Sequence, residues 1–179
     1  MAGESAGRQV SVTPAGAAER TLIEGLFQFY LYDFSEMEPP EATDLVFEED
    51  GRYRPFPPLA TYWDEADGWP LLIRVDGRPA GFALINSHSH KGGQVEFNMG
   101  EFFVARKYRA GGIAAEALRQ VLERHPGRWE VAVVARNARA KVFWPRAIAA
   151  APMVRDLVHE ERDDEHWKGP IWSFVAGAG

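Results

Sequence analysis

The stretch 101-EFFVARKYRAGGIAAEAL-118 decides how the chain folds. Its first four residues have the aromatic and β-branched character of a strand. Ile113, Ala117, Leu118, Val121 and Leu122 then recur at helical spacing, which predicts a helix over 112–124 with that face buried. Between strand and helix lie Arg106, Lys107 and Arg109, followed by two adjacent glycines, Gly111 and Gly112. A loop that only joins a strand to a helix needs neither the charge nor the bare backbone. The first N–H groups of a helix lack intrahelical partners, and the helix dipole adds about half a positive charge there. Glycines let an oxygen-rich anion reach those amides. The loop reads as a site for a diphosphate; the plainer alternative is a tight turn with solvated basic residues.

Working outward, "QVEFNMGEFFVAR" is a strand broken by Gly100, a glycine inside a strand being a common mark of a bulge. Before it, "LLIRVDGRPAGFALINS" is strand, Asp-Gly turn and strand. After the helix, "HPG" is a stop signal, and "WEVAVVA" is a continuous apolar run of the kind covered on both faces of a sheet. Asn137 can cap a following helix, "ARAKVFWPRAIAA", which Pro145 should kink or interrupt. "PMVRDLVHEERD" and "PIWSFV" are the last strands. At the other end, "RQVSVTP" is a short first strand. Leu22, Ile23, Leu26, Phe27, Tyr30 and Leu31 form the apolar stripe of an early helix. Residues 36–59, rich in Pro and acid, read as a long surface loop with one helical turn at most, and "TYWDEADGW" as a further short turn. The order is β-α-β-β-β-α-β-α-β-β. The unit over 94–135 should be a parallel, right-handed crossover, with the other pairs antiparallel.

The 179 residues suit one domain, 1–179, with 1–8 and 177–179 flexible. An apolar fraction of 46% supplies a core, and a net charge of -6 speaks against a nucleic-acid partner. The absence of cysteine excludes disulfides and thiolate chemistry. No signal-like start and no apolar run of about 18 residues is present, so the expectation is a cytoplasmic protein with no membrane association.

Arg109-Ala110-Gly111-Gly112-Ile113-Ala114 fits R/Q-x-x-G-x-G/A after a strand and before a helix, and "NARAKVFW" follows the next strand. In this the chain resembles the GNAT superfamily of acetyl-CoA-dependent N-acetyltransferases. The resemblance covers residues 9–176 in element order and is specific over 94–149. "YLYDFSEMEP" is similar to a segment of poorly characterised bacterial members. The resemblance implies a mixed α+β fold. Its sheet would have about seven mostly antiparallel strands, splayed between the fourth and fifth, with helices on both faces. It implies acetyl-CoA as acetyl donor, its pyrophosphate on the amides of Ala110 to Ala114 beside Arg109. Its pantetheine arm would lie along Phe102, Phe103 and Val104. Asn137, Ala140, Phe143 and Trp144 would line the other wall. A dinucleotide-binding reading lacks its G-x-G-x-x-G, and no Walker loop is present.

The implied chemistry is transfer of acetyl to a primary amine of a small molecule or peptide. An alkylammonium group, with a pKa near 10.4, must first lose a proton. Glu101 is the first candidate base and Glu96 the second; a one-residue bulge at Gly100 would bring them to one strand face. Glu101 as an exposed or Arg-paired carboxylate is the plain alternative. By resemblance the Val104 N–H would donate to the oxyanion. Many members carry a tyrosine seven positions after the asparagine, where this chain has Trp144. Indole is no practical acid, so water, Tyr30 or Tyr32 would have to serve, or the thiolate, of pKa near 8.5, would leave unassisted.

Tyr32, Asp33, Glu36 and Trp63 could form an aromatic and acidic pocket for a cationic acceptor, with Tyr30 read as a core residue. His88 and His90 read as solvated turn residues rather than metal ligands, since no third ligand is nearby. A non-catalytic acyl-CoA sensor and a transferase with a non-amine acceptor are the rival functions. A homodimer is compatible with the sequence.

Overall fold

Alternation along three neighbouring strands builds two cores, one on each face of a sheet. The computed structural model describes residues 7–54 and 58–177. The hairpin over 71–87 forms as β2 (Trp69–Val75) and β3 (Arg78–His88). β1 (Val10–Pro14) joins β2, and β4 (Gln94–Val104) joins β3. Leu71, Ile73, Ala83, Ile85 and Val104 point to one face, Leu72, Phe82, Leu84 and Phe103 to the other. The first face is covered by α3 (Ile113–Arg124) and α4 (Ala138–Ala150). The second is covered by α1 (Ala17–Ser35) and the single turn α2 (Thr61–Asp64). Burying six or more large side chains on each face at about 1.5–3 kcal/mol apiece is what holds these helices down.

β5 (Gly127–Ala132), β6 (Val154–Asp163) and β7 (Lys168–Ala176) complete a seven-stranded sheet of order β1-β2-β3-β4-β5-β7-β6. Every pair is antiparallel except β4 with β5. That parallel pair is in ladder register only at Phe97 with Trp129 and Asn98 with Glu130. Past Asn98 the two strands part, opening a wedge in the middle of the sheet.

Three local expectations change. β4 is not broken at Gly100: the ladder to β3 slips by one residue there, Glu101 facing Leu84 and Met99 facing Ile85. Gly100 is the bulged residue, and a side chain on it would collide with the Tyr62 hydroxyl. α4 runs unbroken through Pro145, because Trp144, Ala147 and Ile148 are buried beside it and hold the turn against the sheet. The 36–59 segment is not all surface. Tyr53 and Leu59 are buried against α1, and the Gln28 amide both donates to the Tyr53 carbonyl (3.0 Å) and accepts its N–H (2.7 Å).

Residues 1–6 and 178–179 of the termini expected to be flexible, and 55–57 of that loop, lie outside the described residues. Among the described residues no helix is long and apolar enough to cross a membrane.

Candidate active site

The wedge exposes one edge of β4. The Ala105 N–H bonds back to Ala80 of β3 (2.8 Å). Backbone groups alternate along a strand, so those of Phe102 and Val104 point the other way, into the wedge. The Arg109 guanidinium takes the Val104 carbonyl at 2.7 Å; the Val104 N–H is left facing the opening. From here a groove of about 520 Å³ runs outward, lined by Phe102, Phe103, Val104, Arg109 and Ala114 on one side and Asn137, Ala140 and Phe143 on the other. Asn137 shapes that second side by capping α4, its carboxamide oxygen accepting the Ala140 N–H at 3.0 Å.

The basic turn over Arg106–Tyr108 is a single 3₁₀ turn, and α3 starts directly after two left-handed residues, Gly111 (φ 74°) and Gly112 (φ 76°). Such dihedrals cost other L-residues about 1–2 kcal/mol, which explains the paired glycines. Ala110, Gly111 and Gly112 are exposed. Among the described residues, no acceptor meets the N–H groups of residues 110–114. Ile113 differs from its neighbours: its side chain is core, 3% exposed.

A second cavity, about 260 Å³, shares Tyr30, Phe34, Phe102, Asn137 and Ala140 with the groove and extends inward past Gly100. Glu101 lies on its wall, beside Met99, Trp144, His90 and Trp167. The Tyr30 hydroxyl donates a hydrogen bond to the Glu101 carboxylate. Burial pushes the Glu101 carboxyl up to about 7, against the Tyr30 bond, which favours the ionised form. Burial and the adjacent Glu101 charge push the Tyr30 phenol well above its ordinary value. The pair is therefore a neutral phenol beside a carboxyl that changes charge near neutrality, a poise suited to taking a proton from a bound group.

Glu96 does not join them. It is about half exposed, and its carboxylate accepts the Arg128 N–H at 2.5 Å where β5 begins. The bulge does put Glu96 and Glu101 on one side of β4, but four residues of strand separate them. Nor do Tyr32, Asp33, Glu36 and Trp63 form one pocket. Tyr32 is 56% exposed, outside both cavities. The Trp63 indole donates to the Ala15 carbonyl at 2.9 Å in the α1-side core. Asp33 and Glu36 line the groove rather than the inner cavity. Asp33 is already paired with Arg106 (2.7 Å) and with Arg109. Burial raises its carboxyl, but those guanidinium bonds outweigh burial and hold it below the usual carboxylate range.

The sequence reading missed three things here. Tyr30 belongs to the core stripe as expected, packed against Phe27, Phe82 and Phe103, but what was missed is that its hydroxyl also reaches Glu101. His90 is no solvated turn residue: its ring is only 18% exposed and lines the inner cavity. Glu38, beyond α1, pairs with Arg136 on the opposite lip, so the segment after Asp33 crosses the mouth of the wedge. A signal for His90 existed. Glu130 is the lone acid within the apolar run of β5, and a buried carboxylate needs partners; it finds them in the His90 turn.

Residues 26–147 match the model of the acetyltransferase (GNAT) family. No curated protein sequence matches the chain. Among solved structures, the chain is similar to an acetyltransferase from Thermus thermophilus, with 14% identity and a TM-score of 0.60 over 94% of this chain and 97% of that one. It is similar to RimJ of Mycobacterium smegmatis, solved with CoA-disulfide, with 18% identity and a TM-score of 0.58 over 93% and 81%. It is also similar to the PaiA N-acetyltransferase of Thermoplasma acidophilum, solved with coenzyme A, with 9% identity and a TM-score of 0.55 over 94% and 99%. These likenesses agree with the splayed seven-stranded sheet, and the family match runs from within α1 to within α4: the chain belongs to the GNAT family of acetyltransferases.

Proposed function

We propose that the protein moves an acetyl group from acetyl-CoA to a primary amine of a small molecule or peptide, by direct transfer. One observation carries this reading. A carboxyl poised near 7 sits on β4 three residues before the Val104 amide, where the anion-ready groove meets the inner cavity. The two solved relatives with CoA species bound support the donor class.

In this reading the donor's pyrophosphate lies on the amides of Ala110 to Ala114 with Arg109 beside it, and its pantetheine arm runs along Phe102 to Val104. Phe143, Ala140 and Asn137 form the facing wall, and Trp144 closes the inner end. The acceptor ammonium enters the inner cavity and gives one proton to Glu101. Its nitrogen then forms a bond to the thioester carbonyl carbon. The Val104 N–H donates to the oxygen that gains charge. Collapse breaks the carbon–sulfur bond, and the second nitrogen proton leaves with the thiol. A thiol pKa near 8.5 makes this tolerable without a strong acid, which suits a chain with Trp144 where a tyrosine is common. Tyr30 stays protonated and steadies the Glu101 carboxylate.

The test is calorimetry with CoA together with a panel of amines incubated with acetyl-CoA, reading acetylated product by mass. Micromolar CoA binding and at least one acetylated amine are expected. Binding without any product would make the protein an acyl-CoA sensor; no binding would remove the reading altogether.

A further inference from the structure

The inner wall of the acceptor cavity is built from two turns that are far apart in sequence. One is the His88–Gly93 turn between β3 and β4, the other the turn between β6 and β7 that carries Trp167. Glu130, 3% exposed, holds the first in place. It accepts the Ser89 hydroxyl at 2.8 Å and the His90 N–H at 2.6 Å. The His90 ring nitrogen Nδ1 lies 3.3 Å from the same oxygen that takes the backbone N–H, without the alignment of a hydrogen bond. Burial raises the Glu130 carboxyl, but the His90 and Ser89 contacts outweigh it, and the group stays ionised. The neighbouring Lys91 pairs with Glu160 of β6 at 2.8 Å. The His90 ring then meets the Trp167 ring edge to face, 4.3 Å between centroids.

The lining chemistry is lopsided. Tyr30, Phe34, Phe102, Trp144 and Trp167 give the cavity five aromatic side chains. Among the described residues, Glu101 is its one carboxylate and no Lys or Arg side chain lines it. A molecule bearing a carboxylate or phosphate would therefore find no strong cation. A second ammonium on the acceptor would find no second acid, and burying it unpaired is strongly disfavoured. Flat apolar surface, by contrast, is met on several sides. At about 260 Å³ the cavity is at the small end for ligands.

We propose that the acceptor is a monoamine with a compact, flat apolar body and no anionic group. Its amine lies at Glu101, and His90 and Trp167 grip its body as specificity-determining residues. This rests on the transferase reading above for the role of the cavity, yet binding tests it separately.

The experiment titrates 2-phenylethylamine, putrescine and L-phenylalanine calorimetrically into protein saturated with CoA. The first is expected to bind at least tenfold more tightly than the other two. His90→Ala and Trp167→Leu are each expected to weaken it at least fivefold, with CoA affinity unchanged in both, which also reports that they fold. Putrescine or L-phenylalanine binding as well as 2-phenylethylamine would overturn the proposal, as would unaltered binding in both variants or no binding of 2-phenylethylamine. If 2-phenylethylamine binds as described but acetyl-CoA releases no thiol, the transfer reading fails and the pocket assignment stands. If transfer occurs but favours polycations, the reverse holds.

Discussion

Tyr30 on α1 and Glu101 on β4, 71 residues apart in sequence, meet through a hydrogen bond from the phenol to the carboxylate. That bond links the helix over the α1-side face to the strand edge that borders the wedge. In the proposed mechanism the charge state of Glu101 is the variable on which both rate and stability depend.

The rate should follow the ionised form of Glu101. With saturating amine, turnover is expected to rise with pH through about 7 and level off above it, and Glu101→Gln should remove that limb. The same group leaves a mark on stability. Its folded pKa is raised from 4.5 to about 7, so the folded state holds a proton that the unfolded chain has already lost. Stability therefore falls as pH rises between those values and stays reduced above them. Glu101→Gln should melt higher than the parent at pH 8, and the gap should close toward pH 5 in thermal scans.

Tyr30→Phe removes the donor but keeps the ring packing. The lost bond had favoured the carboxylate against burial, so the Glu101 pKa should climb further. A hydrogen bond to a charged group is worth about 1.5–3 kcal/mol, so the acid limb of the pH–rate curve should move up by about one to two units. A shift to lower pH would show that the phenol opposes ionisation.

Asp33 neutralises part of the positive charge that faces the groove, through Arg106 and Arg109. Asp33→Asn should tighten CoA binding several-fold in low salt by releasing both guanidinium groups, and the gain should fade as salt screens them. Weaker binding at every ionic strength would mean that Asp33 serves to aim the arginines instead.

Gly112 has open space where a Cβ would go, so Gly112→Ala tests backbone strain alone. At φ 76° it should lose about 1–2 kcal/mol of stability and bind CoA less well. Gly112→Glu adds an anion at the helix N-terminus and should weaken CoA at least another tenfold, read by calorimetry. Equal binding in all three proteins would remove the loop from the site.

The strand, basic turn and helix over 101–124 could be read from sequence because periodicity and glycine placement are local signals. The bulge at Gly100 was visible for the same reason. Tyr30 was half legible: its helical spacing placed it in the core, but nothing in the spacing could show that its hydroxyl would meet a strand read much later. Trp63 and Tyr32 were grouped by chemistry alone. The fold gives Trp63 on α2 to a backbone carbonyl near β1 and leaves Tyr32 on the solvent side of α1. His90 was misread because its partner, Glu130, lies 40 residues on, inside a strand whose composition otherwise signals burial.

The most direct measurement is amine-dependent thiol release from acetyl-CoA by the parent and by Glu101→Gln at pH 8, with CoA affinity measured alongside. The account predicts that the variant binds CoA like the parent and turns over at least a hundredfold more slowly. A variant that keeps both the affinity and the full rate would contradict it.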